Sequence, residues 1–162
     1  MSITIHKYST KDKDVLIHFM VELQIFLSEL DSMKRIIKGP YFETFYIEAL
    51  LEKVKKNTGI IYFAYHGTLP IWIIAGIIKK QDAVNLSECV TSKSWKIIEL
   101  CIEKGYRGQW VWTLLMQKIE AYFKQKKCDF VAIWAFAENI WAHKIYQHLG
   151  YKDRYYEMGK KI

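Results

Sequence analysis

The C-terminal half of the chain alternates between two periods, and this limits the fold more than any other feature. Ile97 to Ile102 is a β-rich run. The polar turn Glu103-Lys104-Gly105-Tyr106-Arg107-Gly108 follows, and then a helical stretch with Val111, Leu115, Ile119 and Tyr122 on one side. Asp129 to Ala137 returns to strand alternation, with Val131, Ile133 and Ala135 opposed to Ala132, Trp134 and Phe136. Asn139 suits the N-cap of a short helix lined by Ala142, Ile145, Tyr146 and Leu149, and Gly150 suits its C-terminal stop. Strand, turn, helix, strand, helix in this order calls for a layered sheet-and-helix domain.

The N-terminal half supplies the remaining layers. Ile3 and Ile5 mark a short strand, and Thr10 is placed as an N-cap with Asp12 and Asp14 in the first turn. Leu16, Phe19, Met20, Leu23, Phe26, Leu27 and Leu30 then recur at helical spacing. Gly39-Pro40 breaks the chain, with Pro40 opening a second helix whose apolar side is Phe42, Phe45, Tyr46 and Ala49. That helix ends in Lys53, Lys55 and Lys56 before Gly59. Ile60 to His66 and Ile71 to Lys79 read as a hairpin around Gly67-Thr68, Gln81 to Ser94 as a long loop, and Tyr151 to Ile162 as one or two closing strands. The expected fold is α/β (α+β layered), a single domain over residues 1–162. Its sheet is mixed and mostly antiparallel, in the order β-α-α-β-β-β-α-β-α-β.

Composition narrows the function classes. The chain has 162 residues, 51% hydrophobic and 25% charged, which is globular rather than disordered. Its 24 basic and 17 acidic side chains leave a net charge of +7, which suits polyanionic partners: nucleic acid, an anionic membrane or a phosphorylated small ligand. The basic residues are spread along the chain, and the densest cluster, Lys124, Lys126 and Lys127, is too short to be a basic tail. Cys89, Cys101 and Cys128 are odd in number and include no CxxC pair, so a disulfide framework and a structural zinc site are not expected, and a reducing compartment is. His143 and His148, five apart, do not share a helix face, so no metal is expected. The N-terminus has no signal-peptide core, and Ile71 to Ile78 falls far short of the ~20 residues that span a bilayer. The expected location is cytoplasmic, with no membrane partner. GxGxxG, Walker and GxSxG patterns are all missing from the sequence, which disfavours those nucleotide sites and a serine nucleophile elbow.

The turn before the third large helix is the first candidate site. A helix N-terminus offers unpaired N–H groups and the positive end of the dipole, which suit a pyrophosphate, and Arg107 and Gly108 stand where such a turn needs a cation and a residue without a side chain. On spacing alone, a strand-ending glycine beside a surface arginine fits equally well. Glu99 is the second candidate. A carboxylate in an apolar strand needs solvent, a substrate amine or a lysine partner. Strict alternation would put it on one face with Ile97 and Cys101, opposite Ile98, Leu100 and Ile102. Cys101 itself reads as a small buried hydrophobe.

Over residues 95–152 the sequence resembles the GNAT superfamily of N-acetyltransferases. The residues that carry the likeness are Ile98-Glu99-Leu100-Cys101-Ile102, then Gly105-Tyr106-Arg107-Gly108-Gln109, then Asn139, Ala142, Tyr146, Gly150 and Tyr151. The resemblance implies transfer of an acetyl group from acetyl-CoA, as co-substrate, to a small-molecule or peptide primary amine by direct attack in a ternary complex. It implies that the backbone of Leu100, Cys101 and Ile102 receives the pantetheine arm. The turn Arg107, Gly108, Gln109, Trp110, Val111 and Trp112 would hold the pyrophosphate, and Asn139 would contact the pantetheine or the acceptor. Tyr146 would protonate the leaving thiolate, and Glu99, or a water near it, would accept the amine proton. Gln24, Glu29 and Asp31 would flank the acceptor.

One departure stands out: the family pattern R/Q-x-x-G-x-G/A has small residues where this chain carries Trp110 and Trp112. A large side chain there can occupy the phosphate's place. The alternative reading is therefore a GNAT fold with little or no activity, serving as a binding module for RNA or protein. No RNA-binding signature accompanies the charge, so nucleic acid is not the expected partner; surplus Trp and Tyr leave a homodimer open.

Overall fold

The structure is a computed structural model and describes residues 2–107 and 111–160. Among these residues one five-stranded sheet runs in the order β1 (Ile3–Lys7), β2 (Ile60–His66), β3 (Leu69–Lys79), β4 (Ser94–Ile102), β5 (Phe130–Ile133). The first four strands pair antiparallel, and β4 pairs parallel with β5. The helices are α1 (Lys13–Leu30), α2 (Phe42–Lys56), α3 (Ala83–Glu88), α4 (Val111–Gln125) and α5 (Ile140–His148).

The sheet is buried on both sides. Leu16, Phe19 and Met20 of α1 and Ile47 and Leu50 of α2 cover one face, against Phe63, Ile73 and Ala75. Leu115, Met116, Ile119 and Phe123 of α4 cover the other, against Trp72, Ile74 and Ile97. β3 lies between the layers, and its Ile71 to Ile78 are all buried. An apolar run without alternation is what a strand covered on both faces requires.

β4 carries the irregularity that shapes everything near it. Ala75 pairs with Glu99 and Gly76 with Ile97, which leaves Ile98 as an extra residue. This β-bulge resets the alternation. Trp95 and Ile97 pack with the α4 layer, whereas Ile98 and Cys101 pack with the α1/α2 layer; Leu100 and Ile102 return to the α4 side. Ile97 and Cys101 therefore lie on opposite faces, which corrects the simple alternation read from the sequence. Opposite the bulge, a Cβ on Gly76 would approach Phe123 to 2.9 Å and Ile119 to 3.0 Å, so the glycine lets α4 lie against the strand. Phe123 also stacks on Trp95, centroids 4.4 Å apart.

Several local expectations shift. Ser9, not Thr10, opens the first helical segment, its N–H and hydroxyl both donating to Asp12. Pro40 precedes α2, and Tyr41 stands at its N-cap in the left-handed region with φ 61°. The loop read over Gln81 to Ser94 contains α3, capped by Asp82, whose side chain accepts from the Asn85 N–H. β5 stops at Ile133 rather than Ala137, and residues 152–160 form no strand, so among the described residues β5 is an edge.

Gly76→Ala is expected to lower stability by about 1–3 kcal/mol through overpacking against Phe123. Urea unfolding should show a lower midpoint with an unchanged slope.

Candidate active site

β4 and β5 pair only from Ser94 to Ile97 and from Phe130 to Ile133. Beyond Ile97, β4 continues to Ile102 with no strand on that side among the described residues. The two strands thus open into a wedge, and one backbone edge of residues 98–102 is unpaired, ready to receive a ligand's amides as a further strand would.

On the α4 side of this wedge, Leu100, Ile102, Trp112, Tyr146 and Trp141 surround a cavity of about 30 Å³. The spacing Tyr146-x-x-x-Gly150-Tyr151 has a structural cause. The Gly150 N–H donates to the Gln147 carbonyl and the Tyr151 N–H to that of Tyr146, with Gly150 at φ 86°. This is a Schellman closure of α5, and it sets the two tyrosine rings 5.8 Å apart. Burial pushes the Tyr146 phenol up to about 12, so it keeps its proton at neutral pH. Its hydroxyl makes no hydrogen bond among the described residues, and the Tyr151 hydroxyl is buried without a partner. Asn139 caps α5, its Oδ1 accepting from the Ala142 N–H at 3.2 Å, and its side-chain N–H groups donate to none of the described residues.

On the opposite face of β4, Glu99 is buried, 9% exposed. The Tyr46 hydroxyl donates to its Oε1 at 2.6 Å. Burial pushes the carboxyl up to about 7, while the Tyr46 hydrogen bond and the charges of Lys53 and Lys96 pull it back. The Tyr46 phenol is driven far above its ordinary range by its own burial and by the Glu99 charge. Phe42 stacks on Tyr46 at 4.7 Å and holds the ring. Trp134, just past the end of β5, lies exposed under the Lys96 ammonium, 3.0 Å from its ring centroid. Sequence reading missed Tyr46, Lys96 and Trp134. Phe42 and Tyr46 four apart on a helix gave the only signal, and they read as core.

The remaining sequence candidates fall as follows. Leu100 and Ile102 line the cavity. Cys101 faces α1, and burial pushes its thiol up to about 12, which fits a structural role. Arg107 lies over the ring of Phe26 on α1, 5.1 Å from its centroid. Trp112 packs against the α4-side core rather than standing free at the helix start. Gly108, Gln109, Trp110 and the side chain of Val111 lie outside the described residues. Gln24 and Asp31 hold the α1–α2 connection: Gln24 donates to the Ile37 carbonyl, and Asp31 accepts the N–H groups of Met33, Arg35 and Ile36. The Ile36 bond is the main reason the Asp31 carboxyl is held below the usual range. No described residues form a group of three or more that could hold a metal ion, and no described helix is long and apolar enough to cross a membrane.

Residues 30–151 match the family model of the Acetyltransferase (GNAT) family, well over half of the chain. The chain belongs to the GNAT acetyltransferase family. An uncharacterized N-acetyltransferase of Methanocaldococcus jannaschii is 33% identical over 70 residues, which are 40% of this chain. The match spans 45% of that relative's length. The BH1408 protein of Bacillus halodurans, solved as a tetramutant, superposes with a TM-score of 0.84 at 14% identity, over 98% of this chain and 99% of that one. A predicted acetyltransferase of Clostridium acetobutylicum, solved with acetyl-CoA, gives 0.76 at 14% identity, over 98% and 96%. These likenesses confirm the GNAT fold expected from the Ile98–Tyr151 motifs.

The Glu99 carboxyl has a stability signature. Its folded-state pKa lies above the ordinary 4.5, so the folded state holds the proton more tightly than the unfolded chain. The contribution of Glu99 to stability therefore falls as pH rises from about 4.5 to about 7, by roughly 3 kcal/mol. Glu99→Gln should lack this decline in urea melts across that range. Parallel pH curves for the two proteins would refute the assignment.

Proposed function

We propose that this protein is an N-acetyltransferase that moves an acetyl group from acetyl-CoA to a primary amine within a ternary complex. The single observation behind this reading is the wedge. Among the described residues β4 loses its β5 partner after Ile97, with Glu99 on one face of the unpaired stretch and the Tyr146 cavity on the other, an arrangement in which an amine and a thioester would approach from opposite sides. Acetyl-CoA would supply an activated acyl carbon. The open edge of Leu100, Cys101 and Ile102 would take the pantetheine amides, Asn139 would add a side-chain donor, and the turn from Arg107 to Trp112 would take the pyrophosphate.

Glu99 accepts the proton that the amine nitrogen must lose as it attacks, directly or through a water. A carboxyl near 7 is suited to this, being partly ionised at neutral pH yet basic enough to take a proton. As the carbon–sulfur bond breaks, Tyr146 donates its phenolic proton to the sulfur. Tyr46 orients the Glu99 carboxylate by its 2.6 Å hydrogen bond. Most of the remaining acceleration comes from holding the two reactants in line.

A second reading, a GNAT fold kept as a binding module, draws on one feature: Trp112 and Trp141 narrow the cavity beside Tyr146 to about 30 Å³. It requires neither thiol release nor heat on titration with acetyl-CoA.

The test is thiol release from acetyl-CoA over a panel of primary amines. The wild type should show a rate that rises with pH through an apparent pKa near 7. Glu99→Gln and Tyr146→Phe should each lower kcat about 100-fold. An absence of turnover with every amine, joined to an absence of heat on titration with millimolar acetyl-CoA, would overturn the proposal in favour of the module.

A further inference from the structure

Outside the wedge, at the other end of β4, a cavity of about 490 Å³ lies between the end of β3, the ends of α2 and α4, and the starts of β4 and β5. This volume is within the range of small-molecule sites. The length of β4, about 26 Å at strand rise, separates it from the turn that follows Ile102.

Lys79, Lys80, Lys93 and Lys126 line the cavity, with Asp129 as the only acid among the described residues of its lining. Among the described residues none of the four lysines forms a salt bridge. The helix dipoles give a competing account, because α2 and α4 both end here. Each C-terminus carries roughly half a negative charge, so the two ends and Asp129 together offset about two of the four lysines. Net positive charge remains.

The walls are built rather than slack. Gln81 clamps the connection that bears α3, its amide donating to the Val90 carbonyl and accepting the Ser92 N–H. Lys93 donates to the Lys126 carbonyl at the end of α4 and, through its backbone N–H, to Asp129. Thr91 and Ser92 also line the cavity, and no described residue takes a hydrogen bond from either hydroxyl.

The donor chemistry selects the ligand. Lysine ammoniums and hydroxyls are radial donors that suit tetrahedral oxyanions, whereas flat bidentate carboxylate recognition calls for arginine, and no arginine is in the lining. No aromatic ring is in the lining either, so a nucleobase would find nothing to stack on. We infer that this cavity is a second ligand site, separate from the wedge, for a small non-aromatic molecule carrying a diphosphate or paired phosphates.

The probe is inorganic pyrophosphate, titrated calorimetrically into the full chain. Wild type should bind it with an affinity that weakens as salt rises. The Lys79→Gln/Lys80→Gln/Lys126→Gln protein should bind at least about tenfold more weakly while keeping its melting temperature, and Lys80→Gln alone should show a smaller loss. No heat with millimolar pyrophosphate, or equal affinity in the triple variant, overturns the inference. So does oligouridylate binding the wild type more tightly than pyrophosphate through the same lysines.

Discussion

A strand that has two neighbours for half its length and one for the rest is an expensive construction. The backbone groups of residues 98–102 that face the wedge must be met by water or by a ligand, and the fold has to stop the sheet from zipping shut across them. β5 ends at Ile133, four pairs after the strands meet, and the chain leaves for α5. The bulge at Ile98 adds local twist where the pairing ends, and Gly76 clears the space for α4 to lie against it. The placement of both candidate catalytic groups follows from this. Had β4 run without the bulge, Glu99 and Ile97 would share a face, and the carboxylate could not meet Tyr46 while Ile97 packs beside α4.

The bulge instead delivers Glu99 to the α1/α2 side, where Tyr46 meets it. The environment is neither dry enough to neutralise the carboxyl fully nor wet enough to leave it at its ordinary value. Burial is the dominant influence, and the Tyr46 hydrogen bond with Lys53 and Lys96 opposes it. Tyr146, by contrast, has only burial acting on it, which moves it away from neutrality. Two titratable groups on opposite faces of one strand are thus separated in acidity, the carboxyl near the working pH and the phenol well above it. That separation is what a base and an acid acting in one turnover need.

Much of this was legible in the residues. The periods and caps located α4, β5 and α5, and Gly150 marked the helix stop that fixes Tyr146 beside Tyr151. The GNAT motifs named the strand and the turn. The bulge was not legible, because Ile97-Ile98-Glu99-Leu100 alternates as convincingly without it; an extra residue in a strand shows only against its partner, and the register of β3 sets it. Tyr46 hid in an apolar helix stripe, since its partner lies 53 residues away. Asp31 looked like a charge for a cationic acceptor but serves three backbone N–H groups of its own loop. The closing strand expected from Tyr151 onward does not form in residues 152–160, where Tyr155, Tyr156 and Met158 are largely exposed and bury nothing against the sheet.

We propose that acetyl-CoA lies along the unpaired edge of β4. Hydrogen–deuterium exchange of the full chain, with and without saturating acetyl-CoA, tests it most directly, because it reads backbone amides and not turnover. Exchange is expected to slow in residues 98–107, with Ser94 to Ile97, already paired on both sides, unchanged. Identical exchange across residues 98–107 with and without millimolar acetyl-CoA would contradict it.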